Sequence, residues 1–263
     1  MSGGGKHSGA SSLVCLLLAA CAGEAASEVA ASPATASETT FVDIFAELDD
    51  DFWLVSDGWS NGDWTANDFL RRQVETGPEG LTITMGRSEN GEKRFSSGEI
   101  RTIGRYEHGY FEIDMQVPRG SGLVTGFFTY TGSFFGDPHD EIDVEILGKN
   151  TREVTFTIFT NDEQKTEVVP LGFDAADGFH LYGFEWTENY IRWYVDGRLL
   201  HEETPETFPL PTTPQIYYLD LWGSDTLTDW VGPLDENGAP WTLRVRCMGH
   251  ATGYAGVPIC RPS

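Results

Sequence analysis

The residues best placed to do chemistry lie between His139 and Gly148, in the run H-D-E-I-D-V-E-I-L-G. Glu141, Asp143 and Glu145 fall at i, i+2 and i+4, so an extended strand presents all three carboxylates on one face and Ile142, Val144 and Ile146 on the other. The apolar face suits a core and the acidic face a cleft. Like charges crowded on a solvated strand repel and gain nothing. Retaining glycoside hydrolysis does use such crowding, with an ionised nucleophile and a protonated acid about 5–5.5 Å apart. Each raises the proton affinity of the other, so one stays protonated while its partner ionises. Four residues of strand span roughly 13 Å at about 3.3 Å per residue, so the Glu141 and Glu145 side chains must lean together across a curved surface. From spacing alone two other readings stay open: a solvated acidic face, and a calcium site using the same hard oxygen ligands.

A strand of this kind needs a sheet, and the body of the chain supplies strand patterns. Phe111, Ile113, Met115 and Val117 alternate with Tyr110, Glu112, Asp114 and Gln116, giving period two with one polar face. Leu81, Ile83 and Met85 alternate with threonines, and Tyr182, Phe184 and Trp186 mark another half-buried strand. Ile191–Val195, then Asp196-Gly197, then Arg198–Glu202 predicts a hairpin, because Asp-Gly supplies the positive φ angles of a type I′ turn. No amphipathic helix separates these segments and no internal repeat is found. The pattern predicts an antiparallel sandwich. Within 263 residues, 13% aromatic content, 30 Gly and only 4 Met fit short strands and tight turns around an aromatic core. With 41 Asp+Glu against 17 Lys+Arg, the formal net charge of −24 excludes the basic stripe that nucleic acid requires. It also favours neutral or weakly charged substrates.

The ends of the chain read differently. Lys6 and His7 precede an apolar run ending in Leu18, Ala19, Ala20, Cys21, which reads as an export signal over residues 1–20. Cys21 is then the residue to be lipidated, as in a bacterial lipoprotein, with a plain secretory signal as the alternative. Residues 21–40, rich in Ala, Ser, Thr and Glu, cannot bury a core and are expected to form a flexible tether. A single folded domain is expected over 41–263. Its two cysteines, Cys247 and Cys260, are expected to form a disulfide worth about 3 kcal/mol in an exported protein. The alternative is two free thiols; no third ligand of zinc spacing accompanies them. His108, His180, His201 and His250 form no ligand-spaced group.

The string D-E-I-D-V-E-I-L-G resembles the catalytic signature of family 16 glycoside hydrolases, in the regular-strand form of lichenases and xyloglucan endotransglycosylases. The likeness runs through S-N-G at Ser60–Gly62, G-E-I-R at Gly98–Arg101, G-F-F-T-Y-T-G at Gly126–Gly132, L-G-F-D-A-A-D-G-F-H at Leu171–His180 and W-Y-V-D-G at Trp193–Gly197. P-H-D-E-I-D, G-K-N-T-R-E-V at Gly148–Val154, L-W-G-S-D-T-L-T-D-W at Leu221–Trp230 and the terminal cysteine pair resemble bacterial endo-1,3-1,4-β-glycanases that trim succinoglycan-type exopolysaccharide.

The resemblance implies an all-β, concanavalin A-like antiparallel jelly-roll sandwich with a concave substrate cleft. It implies Glu141 as nucleophile, Glu145 as general acid/base and Asp143 as the residue that tunes the pair. Glu99, Arg101, Phe128, Tyr130, His139, Asp220 and Trp222 match substrate-contacting positions. Taken without the resemblance, Glu99 and Arg101 equally fit a surface salt bridge, and strand aromatics equally fit a core. His139, Thr157, Phe159 and Asp220 depart from the lichenase pattern and put a cereal mixed-linkage glucan in question as the substrate. The implied activity is endo-hydrolysis of internal β-1,4 or β-1,3-1,4 linkages with retention, needing no cofactor. A structural calcium ion is compatible with the resemblance, though no loop identifies its ligands. The expected partner is a polysaccharide, acted on by an exported monomer that is periplasmic, on the outer membrane or extracellular. A transglycosylase and a non-catalytic carbohydrate-binding module are the competing readings, and two reactive carboxylates have no use in the latter.

Overall fold

A computed structural model describes residues 38–89 and 92–260. The expected export segment, Cys21 and the tether as far as residue 37 lie outside the described residues. In chain order the strands are β1 (Thr39–Asp43), β2 (Trp53–Val55), β3 (Asn67–Phe69), β4 (Val74–Gly77), β5 (Gly80–Arg87), β6 (Phe95–Ser97), β7 (Glu99–Tyr106), β8 (Gly109–Gln116) and β9 (Leu123–Thr131). They continue with β10 (Asp140–Leu147), β11 (Glu153–Thr160), β12 (Glu163–Pro170), β13 (His180–Trp186), β14 (Ile191–Val195), β15 (Arg198–Glu203), β16 (Gln215–Gly223) and β17 (Trp241–Ala251). The first of these begins at Thr39, inside the stretch expected to be tether. A four-residue helix, α1, covers Thr228–Val231, and no helix among the described residues is long and apolar enough to cross a membrane.

The strands form the jelly-roll sandwich that the sequence predicts. One sheet has seven strands in the order β12-β11-β10-β9-β16-β7-β2. The other runs β15-β14-β13-β8-β17-β5-β6-β3, with β1 added on β17 and β4 on β5. Pairing is antiparallel except for the short β3–β6 pair. Between the sheets lies one apolar core. Phe127, Ile142, Val144, Ile146, Phe156, Ile158, Leu219 and Leu221 enter it from the seven-stranded sheet, and Ile83, Phe111, Ile113, Phe184, Trp193, Leu243 and Val245 from the other. Alternation explains which residues face which way, because each inward side chain leaves its two neighbours pointing outward. The predicted hairpin is present, with Asp196 at φ 49° and Gly197 at φ 73° between β14 and β15.

The core also ties the sheets together with directed bonds. The Trp193 indole N–H donates to the backbone carbonyl of Asp143 at 3.1 Å, and the Tyr217 hydroxyl donates to the carbonyl of Glu112 at 3.1 Å. The first of these holds the carboxylate strand from behind.

At β8 the polar face, Tyr110, Glu112 and Asp114, is itself buried. The segment after β17 folds back over it: Cys260 donates its backbone N–H to Glu112 at 2.6 Å, and the Tyr254 ring packs on Tyr110 and Tyr194. Cys247 and Cys260 are joined by a disulfide with a Cα–Cα distance of 5.6 Å, which fastens this cover to β17.

Candidate active site

Cross-strand register on the outward face of the seven-stranded sheet sets three rows of side chains. In the first, Asp220 on β16 lies opposite Glu99 on β7 and Gly126 on β9, and Gly126 lies opposite Glu145 on β10. In the second, Tyr218 lies opposite Arg101 and Phe128, and Phe128 opposite Asp143. In the third, Tyr130 lies opposite Glu141, whose other neighbour is Phe159 on β11. The register therefore places Glu99, Arg101, Phe128, Tyr130, Glu141, Asp143, Glu145 and Asp220 on one face.

Five carboxyl groups share this face with one guanidinium, so protons must stay bound. Burial, then the Glu141 and Glu145 charges, hold Asp143 well above the usual carboxyl range; a hydrogen bond with Glu141 also favours its protonated form. Burial and the Glu141 charge raise Glu145 to about 8. That makes Glu145 an acid at neutral pH, the state a leaving-group donor requires. Burial raises Glu99 to about 7, against the opposing pull of Ser56 and Arg101. Glu99 is 2% exposed and accepts a hydrogen bond from the Ser56 hydroxyl at 2.5 Å, so it is not half of a surface salt bridge. Asp220 is likewise 2% exposed, its Oδ1 has no hydrogen-bond partner, and burial with the Glu99, Glu145 and Glu141 charges pushes its pKa well up.

Aromatic rings frame the carboxyls. Phe128 stacks on Tyr218 at 5.0 Å and 8°, while Tyr130 meets His139 edge to face at 5.4 Å. His139 lies flat against Phe159, at 4.4 Å and 14°. Trp222 is largely covered by its neighbours: it packs with Phe69, Val124 and Val231, and meets Trp64 and Trp230. Trp64 and Trp230 are 37% and 39% exposed, and Trp59, which packs on Phe69, is 46% exposed.

Other features of the site have no signature in the sequence spacing. The His139 Nε2 lies 2.6 Å from Glu141 Oε2. Its Nδ1 faces Asp162, in the β11–β12 turn, at 3.9 Å. Tyr218 and Ser56 are site residues that motif reading missed; for Tyr218 the available signal was its i−2 relation to Asp220 on one strand. Gly126 has a defined task, because a Cβ there would come within 2.6 Å of Asp220 Oδ1. Among the described residues no group of three or more His, Cys, Asp or Glu side chains is arranged to hold a metal ion.

Comparison with known proteins identifies the family. The model of the family described as glycosyl hydrolases family 16 matches residues 60–240. The chain is 39% identical over 208 residues to a beta-glucanase of Bacillus subtilis (strain 168), covering 76% of this chain and 82% of that protein. It is 41% identical over 196 residues to the endo-1,3-1,4-beta-glycanase ExoK of Rhizobium meliloti (strain 1021), covering 73% of this chain and 72% of that protein. The solved Bacillus licheniformis beta-glucanase superposes with a TM-score of 0.75 at 32% identity, over 82% of this chain and 99% of that one.

Proposed function

The chain belongs to glycosyl hydrolases family 16, and from that premise we propose that Glu141, Asp143 and Glu145 carry out endo-hydrolysis of a β-1,3-1,4-linked glucan with retention. It is a glycoside hydrolase, and the activity needs no cofactor. What supports the residue roles most directly is the placement of Glu141, Asp143 and Glu145 on one face of β10, where burial and the Glu141 charge raise Glu145 to about 8 and push Asp143 well up. In the first step a Glu141 oxygen attacks the anomeric carbon, and Glu145 gives its proton to the departing glycosidic oxygen. Water then attacks the same carbon, Glu145 takes a water proton, and the ester electron pair returns to Glu141. Glu99, Arg101, Phe128, Tyr130, His139, Asp220 and Trp222 are proposed to hold the sugars around this centre.

Substitution tests the roles. Glu141→Gln should abolish turnover of polymer and activated aryl glycosides alike. Glu145→Gln should lose polymer cleavage yet keep part of its activity on an aryl glycoside with a good leaving group, with azide restoring turnover. Full polymer activity in Glu145→Gln would overturn the assignment.

For the natural polymer, we favour a bacterial β-1,3/1,4-linked exopolysaccharide over cereal glucan. The support is the set of replaced sugar-contact positions, His139, Thr157, Phe159 and Asp220, together with the likeness to the Rhizobium meliloti glycanase. Changing polar partners in a pocket alters discrimination strongly. Equal or faster cleavage of cereal glucan at matched ionic strength would overturn this ordering. We further propose export with lipidation at Cys21. Metabolic labelling with a fatty-acid probe should tag the wild type, and Cys21→Ser should release it; an unlabelled, released wild type would refute the anchor.

A further inference from the structure

The His139 ring is fixed on four sides by groups from four parts of the fold. Phe159 of β11 lies flat against it and Tyr130 of β9 meets it edge-on. Its Nε2 is 2.6 Å from Glu141 Oε2, and its Nδ1 is 3.9 Å from Asp162 Oδ1. Asp162 stands on a backbone with φ 69°, and its N–H donates to the His139 carbonyl at 3.3 Å. Asp140, next to His139 in sequence, is buried and anchors the same turn by accepting the N–H of Asn161 at 3.0 Å. Carboxylates thus face both ring nitrogens.

We propose that His139 is a positioning residue for the second half of the reaction: held between Asp162 and Glu141, it fixes the Glu141 carboxyl and supplies positive charge to it as the glycosyl-enzyme breaks down. The inference rests on Glu141 being the nucleophile. With Nε2–H donating to Oε2, the other oxygen is left to form the bond to the anomeric carbon. In breakdown that bond breaks, its electron pair returns to the carboxyl group, and the oxygen of water takes its place while Glu145 removes the water proton. Negative charge therefore develops next to a cationic donor. A charge-assisted hydrogen bond that strengthens in the transition state speeds this step.

The charges that face the ring fix the sign of the pH dependence. The hydrogen bond to Glu141 raises the His139 pKa against the opposing effect of partial burial, and the Glu141, Asp162 and Asp140 charges add to the rise. The Tyr130 phenol is raised by burial and stays neutral. The benefit is present below the raised His139 pKa and is lost as pH rises through it. A base role for Glu145 gives the opposite slope.

The test uses a dinitrophenyl β-gluco-oligosaccharide, whose good leaving group makes breakdown the slow step, with stopped-flow measurement of the burst and of steady turnover. His139→Phe keeps a ring to stack on Phe159 but loses both hydrogen bond and charge. It should lower kcat about tenfold or more, with KM falling in parallel as the intermediate accumulates. His139→Gln restores a neutral donor and should recover part of the rate without the fall at higher pH. Asp162→Asn, exposed and able to keep a positive φ, should move that fall to lower pH without affecting folding. A raised KM with unchanged kcat would make His139 a sugar contact only and overturn the proposal. So would a wild-type pH profile in both His139→Gln and Asp162→Asn. Mass measurement of the trapped adduct separates the premise from the inference. No sugar on Glu141 defeats both, whereas an adduct that breaks down equally fast in His139→Phe defeats the inference alone.

Discussion

The proton on Glu145 sets the upper pH limit of the reaction, because the first step consumes it. Burial and the Glu141 charge place that loss at about 8, so kcat/KM on polymer should fall about tenfold per pH unit above this value. A pH-rate profile on a neutral glucan checks it, and a flat profile to pH 10 would remove Glu145 as the donor. Asp143→Asn keeps a donor to Glu141 and removes one ionisation from a coupled set, so the profile should shift while the variant remains active. At this scale the sequence was legible where chemistry is carried by spacing: Glu141, Asp143 and Glu145 share a face in any strand. It was not legible where partners come from distant segments. Nothing in the sequence brings Asp162 toward His139, or Ser56 toward Glu99, before strand register is known.

At the scale of elements, the site depends on what one strand lacks. Gly126 on β9 separates Asp220 from Glu145 within one row, and a Cβ there would press on the Asp220 carboxyl at 2.6 Å and on the Phe128 ring at 3.3 Å. Asp220 has a short side chain in a buried position and little room to yield. Gly126→Ala should therefore cost about 1–3 kcal/mol of stability, read by urea unfolding, and should lower activity more than Gly104→Ala, where open space meets the added carbon. Equal stability and activity in the two variants would refute the packing argument. Several strands were readable from alternation or turn chemistry, among them β5, β8, β10, β13 and the β14–β15 hairpin, whereas short strands such as β2, β3 and β6 were not. Nor was the burial of the polar face of β8. Alternation shows only that Tyr110, Glu112 and Asp114 share a side, and it takes the returning segment at Cys260 to cover them.

For the whole molecule, a net charge of −24 surrounds a cleft that is itself acidic. A neutral glucan meets no long-range barrier, but an acid-decorated exopolysaccharide is repelled. Raising ionic strength from about 0.01 M to about 0.15 M shortens the screening length from about 30 Å to about 8 Å. Cleavage of the decorated polymer should accelerate over that range through a lower KM, while neutral glucan should change little. The same salt response for both polymers would show that the overall charge plays no part in substrate choice.

The position of β17 governs when this molecule can fold at all. It lies between β8 and β5, also carries β1, and places Leu243, Val245 and Met248 in the core. Thr39 pairs with Ala251 across nearly the full length of the fold. During synthesis at about 5–20 residues per second, sixteen strands leave the ribosome before the one that completes the larger sheet. Until then the edges of β5 and β8 that face β17 lack their partner, and the core lacks Leu243, Val245 and Met248. Because its decisive contacts are so distant in sequence, folding is slow to begin. The larger sheet is complete, and the site it backs is supported from behind, only once β17 has been made and paired.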